Sequence, residues 1–71
     1  MGLKILVTAY SLEQCIILAS VELGAELKVY REENSVFEQY QIRPATKTFI
    51  PKVWSYRIVA KNGAYYFGQL L

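Results

Sequence analysis

Asn62-Gly63 stands between two alternating runs, "VWSYRIVA" (53–60) and "YYFGQLL" (65–71). A two-residue type I′ turn needs two positive φ angles, which asparagine and glycine tolerate best, so the pair dictates a β-hairpin. The loop length also fixes the register. Ala60 then faces Tyr65, Val59 faces Tyr66, Ile58 faces Phe67 and Tyr56 faces Gln69. Alternation puts Trp54, Tyr56, Ile58, Ala60, Tyr65, Phe67 and Leu71 on one face. Val53, Ser55, Arg57, Val59, Lys61, Tyr66, Gly68 and Leu70 take the other. The first face is apolar and calls for a helix against it. The second mixes cations with Tyr66.

The helix is legible upstream. "SLEQ" (11–14) is a capping box, in which the Ser11 hydroxyl and the Gln14 side chain satisfy free backbone N–H groups. Gly24 is placed to end the helix after Leu23 in the left-handed conformation. Leu12, Cys15, Ile16, Ala19 and Leu23 fall on one stripe at helical spacing. Ile17, Leu18 and Val21 widen it, and they read as a broad core stripe ahead of an interface.

"LKILVTAY" (3–10) is apolar almost throughout, which predicts a strand buried on both faces and hence central in its sheet. "ELKVYR" (26–31) is a second strand, followed by a turn at "EENS" (32–35). Val36 to Ile42 alternates as a strand does. Ser35 and Glu38 also form a capping box there, with Val36, Phe37 and Tyr40 on one helical face. The strand reading, paired with residues 26–31, is preferred. "RPATKTFIPK" (43–52) has two prolines and no period, and reads as a loop or irregular edge. The expected class is α+β, with a single helix on one face of a small, mostly antiparallel sheet in the order β-α-β-β-β-β. The first two strands would be parallel if a right-handed crossover joins them in one sheet.

Seventy-one residues are read as a single domain, 1–71. A chain of this size buries only about 60% of its unfolded surface, so reinforcement matters. Cys15 has no second cysteine to pair with, and the chain contains neither histidine nor aspartate. An internal disulfide and a structural zinc site are thereby excluded. A dense core or self-association remains, and the 54% apolar content fits both. No metal or cofactor is expected. "CIILASVELG" (15–24) is far too short to span a bilayer, and Leu6 stands where a Met1-Gly2 myristoylation signal needs Ser or Thr. With an unpaired thiol, these features lead to the expectation of a cytoplasmic protein without a membrane partner.

Charge divides the chain. Through Ile42, Lys4, Lys28 and Arg31 oppose six glutamates for a net −3. From Arg43 onward, Arg43, Lys47, Lys52, Arg57 and Lys61 stand with no acid at all, a net +5. Acid–base catalysis needs a tunable histidine or carboxylates set beside a substrate, and neither pattern occurs. Cys15 has no base to activate it and sits on the apolar stripe. The chain is therefore read as no enzyme. Arg43, Lys47, Lys52, Arg57, Lys61 and Tyr66 are the expected partner-binding residues, and charge reversal at Arg57 and Lys61 is expected to spare the melting temperature. Their partner is another protein or a nucleoprotein complex, blocked sterically. In scale and in lack of chemistry the chain is similar to the small inhibitors that bacteriophages use against host defence complexes.

The alternative is a nucleic-acid-binding module in which cations track phosphates and rings stack on bases. "KNGAYYFGQL" (61–70) faintly resembles the RNP1 motif of RNA-recognition (RRM) domains, which sets aromatics on a sheet surface. The first strand lacks the matching RNP2 aromatic, and Tyr65 and Phe67 share a face with Trp54 and Ile58. The segment is therefore read as a hairpin with an aromatic core. A homodimer, through Ile17, Leu18 and Val21 or through a sheet edge, is a third reading.

Overall fold

The computed structural model describes residues 2–33 and 36–71. Met1, and the Asn34-Ser35 end of the expected turn with the Ser35 capping alternative, lie outside the described residues. The elements are β1 (Leu3–Ala9), α1 (Leu12–Leu23), β2 (Leu27–Glu32), β3 (Glu38–Pro44), β4 (Tyr56–Lys61) and β5 (Ala64–Leu70). One turn of 3-10 helix, Val53–Ser55, leads into β4. The five strands form one antiparallel sheet in the order β1-β5-β4-β3-β2, with α1 on one face. The α+β class and the element order are those the sequence predicts.

The hairpin forms in the predicted register, from Tyr56 opposite Gln69 to Ala60 opposite Tyr65. Asn62 at φ 52° and Gly63 at φ 79° supply the two positive angles. Ile58 and Phe67, opposite one another, are completely buried beneath α1 with Cys15 and Ala19. The Tyr56 ring stacks on Phe67, with centroids 5.5 Å apart and planes 11° from parallel. On α1 the Ser11 hydroxyl accepts from the Gln14 amide, as the capping box requires. The Gln14 side chain reaches one residue further back than expected and accepts from the Tyr10 amide. Gly24 closes the helix at φ 70°.

Four expectations change. β1 is an edge strand, paired only with β5. Its uniform apolarity has a local cause: the register slips at Leu6, so Ile5 pairs with Gly68 while Val7 pairs with Phe67. This bulge lets both Leu6 and Val7 pack against the core. Leu3 and Ile5 are left on the opposite face, which no helix among the described residues covers. β1 and β2 do run the same way, but three strands separate them.

The second change is Trp54, which lies in the 3-10 turn, not on a strand, and is 70% exposed. Third, β3 begins only at Glu38 and continues through Arg43 and Pro44, taking two residues from the expected loop. Fourth, Ile17, Leu18 and Val21 are exposed and no part of the core. A helix is only about 10 Å wide with side chains, so one side of α1 is all the sheet can cover. No helix among the described residues is long and apolar enough to cross a membrane.

Candidate functional site: the helix-free face of the sheet

Side chains alternate across a sheet, so burying Phe67, Ile58 and Val7 beneath α1 sends their neighbours to the other side. There β1 contributes Leu3 and Ile5, β5 Tyr66 and Leu70, and β4 Arg57, Val59 and Lys61. Gln39 and Gln41 of β3 and Tyr30 and Glu32 of β2 complete the surface on that side. Gly68, between Ile5 and Arg57, has no side chain to fill its place. The result is a shallow depression flanked by Leu3, Ile5, Val59, Tyr66 and Leu70, with Phe37 and Lys61 at one rim. Ile5 is 53% exposed and Phe37 52%, so its apolar wall meets water.

The cations on this face are not equivalent. Arg57 is largely buried and tied down: its Nε lies 2.8 Å from Glu32 Oε1 as an ion pair. Its Nη1 donates to the carbonyls of Trp54 and Tyr56. Glu32 reaches Arg57 across the intervening β3, and its Oε2 accepts from Gln39 Nε2 at 2.8 Å. Arg57 therefore presents little free charge. Lys61 is exposed, with its ammonium 5.5 Å from the Phe37 ring centroid. Arg43, also exposed, lies over the Tyr30 ring at 5.8 Å. Both are cation–π contacts that leave the charge available to a partner.

Of the six residues predicted to bind a partner, Arg57, Lys61 and Tyr66 converge on the depression. Arg43 is on the same face, in a small adjoining recess with Trp54 and Arg57. Lys47 and Lys52 are exposed in the 45–52 segment and line neither hollow. Lys52 adopts φ 53°, the left-handed conformation, at the turn before the 3-10 helix. Sequence reasoning missed Leu3 and Ile5, because a strand placed at the centre of the sheet leaves no open face. The i, i+2 spacing of Leu3 and Ile5 was the available signal.

Elsewhere two groups, the Tyr40 hydroxyl and the Cys15 thiol, are held in their neutral forms. The Tyr40 hydroxyl donates to Glu38 Oε2 at 2.5 Å, and this hydrogen bond, helped by desolvation and the glutamate's charge, pushes its pKa up to about 12. Glu38 also lies 3.6 Å from Arg31 Nη2. Burial alone pushes the Cys15 thiol up to about 11. Neither group is poised to give or take a proton near neutrality. The chain matches no family model, no curated protein and no solved structure.

Proposed function

We propose that this chain is a small, non-catalytic, cytoplasmic binding protein that docks through its helix-free sheet face and sterically blocks a macromolecular partner. The style of action is that of small bacteriophage inhibitors of host defence complexes. The carrying observation is the wetted apolar wall of Leu3, Ile5, Val59 and Leu70 beside Tyr66 and the free charge of Lys61. An apolar centre with aromatic and cationic neighbours is the composition of a protein interface. A protonated Cys15 and Tyr40 supply no nucleophile or base. The favoured partner is thus a protein or nucleoprotein surface that is apolar with an acidic margin.

The second reading, nucleic-acid binding, is favoured by one observation: Tyr30 with Arg43, and Tyr66 with Lys61, share this face. Rings beside cations suit single strands. Salt separates the two readings, because phosphate binding weakens steeply as ionic strength rises.

Lys61→Glu combined with Ile5→Ser tests the docking face, since both side chains are exposed. The partner recovered on the tagged chain from a native lysate, with nuclease present, should be lost with this variant while the thermal midpoint stays near that of the parent. Full retention of the partner overturns the assignment. Fluorescence anisotropy with single- and double-stranded oligonucleotides at low salt should stay flat, and a salt-sensitive rise would transfer the assignment to nucleic acid. Arg57 is a poor probe: reversing its charge strands Glu32 and two carbonyls, at about 1–3 kcal/mol. The thermal midpoint of Arg57→Glu should therefore fall, contrary to the expectation from sequence.

A further inference from the structure

We infer that two copies of this chain associate through their β2 edges, antiparallel and with Tyr30 opposite Tyr30 on the two-fold axis. The inference is independent of the docking face proposed above. β2 is the last strand of the sheet on its side, and its six paired residues show no bulge. Its partner β3 settles which backbone groups are free. The Ala45 amide donates to the Glu26 carbonyl, and Pro44, which has no N–H, lies opposite Leu27. Hydrogen-bonded and non-hydrogen-bonded pairs alternate in an antiparallel ladder. Lys28, Tyr30 and Glu32 therefore bond to β3, whereas Leu27, Val29 and Arg31 aim their N–H and C=O groups outward. Among the described residues, no backbone group from outside the strands bonds to them.

A second β2 laid against this edge about a two-fold axis normal to the sheet keeps faces matched, so only residues of like parity meet. With Tyr30 on the axis, Val29 faces the partner's Arg31 as a hydrogen-bonded pair, using the groups left free. Lys28 then faces the partner's Glu32, twice over, at non-hydrogen-bonded positions where side chains approach most closely. Neighbouring registers are worse. Val29 on the axis sets Glu26 against Glu32, and Arg31 on the axis sets Arg31 against itself. The charges of β2 thus select one register.

The isolated chain carries a matching deficiency. Lys28 lies directly opposite Arg43, and same-sign pairs across strands are unfavourable. Among the described residues Lys28 makes no ion pair, and it is exposed, as is Tyr30 at 49%. The incoming Glu32 supplies the missing acid. Its Oε1 is buried against Arg57, so the lysine is received at Oε2, which accepts from Gln39 and keeps a further lone pair. The product is one continuous sheet, ten strands wide, with both helices on the same side.

Sedimentation equilibrium on the full chain, carried to high micromolar concentration, should show a monomer–dimer equilibrium. Lys28→Glu relieves the clash with Arg43 but sets two acids against two acids across the axis. The variant should keep the fold by circular dichroism and weaken the dimer by about tenfold or more. Tyr30→Cys should form an intermolecular disulfide under mild oxidation, because residues facing one another at a non-hydrogen-bonded position meet disulfide geometry. Lys28→Cys, which faces residue 32 of the other copy, should not. Cys15, fully buried, does not compete. A monomer throughout the range, a dimer indifferent to Lys28→Glu, or equal cross-linking at positions 28 and 30 would each overturn the inference.

Discussion

Gly68 shows how much one residue decides. A Cβ built there would lie 2.3 Å from the Lys4 carbonyl oxygen and 2.8 Å from Leu3 Cγ, so β1 pairs this closely with β5 only because the side chain is missing. Gly68→Ala forces two backbones apart and should cost about 1–3 kcal/mol, read as a lower urea midpoint. Tyr40 gives a second test. Its pKa rises from 10 to about 12 in the fold, so ionisation is disfavoured in the native state relative to the unfolded one. The associated stabilisation is complete below pH 10 and is lost as pH climbs through 12. Tyr40→Phe should make the stability-versus-pH curve shallower across that window, and a curve of unchanged slope would remove Glu38 as the cause.

At the scale of elements, α1 is set by its ends as much as by its stripe. Ser11 satisfies the Gln14 amide at 3.1 Å, and Ser11→Ala should lower stability by about 1 kcal/mol in chemical denaturation. The 3-10 turn is held from two sides. Ser55, buried, donates to the Lys52 carbonyl and accepts from the Gln69 side chain on β5. That anchoring fixes where β4 begins and turns Trp54 outward. β1 answers to its bulge. Its apolar run was readable as a strand, but its place at the edge was not, because the slip at Leu6 is set by how β5 receives it.

Among the described residues of the whole molecule, two strands lie open at the sheet margins and one α-helix serves two sheet faces. A chain of this size has little apolar surface to bury, so any association of folded copies would add to its stability by mass action. If β2 edges pair, the melting temperature should rise with protein concentration, and Lys28→Glu should abolish that rise. A melting temperature independent of concentration in the parent chain would speak against the dimer. The asymmetry in charge along the sequence is only partly an asymmetry in space. Glu32, from the acidic half, crosses to neutralise Arg57 in the basic half. Arg43 and Lys61 keep exposed charge on the helix-free face, while Lys47 and Lys52 remain in the 45–52 segment.

Local chemistry was sufficient to specify the hairpin with its register and the limits of α1, whereas Val36 to Ile42 carried both a strand and a helix pattern, and the fold chose the strand from Glu38 onward. Turn angles, caps and alternation act within a few residues, so their outcome is written where they occur. Strand order, the bulge, the exposure of Trp54 and the capture of Arg57 came only with the fold. Each depends on which distant segments become neighbours, and a side chain's charge or apolarity does not say which neighbour it will meet. The open face is the clearest case: Leu3 and Ile5 are core-like by composition, and they line a surface because α1 packs on the other side.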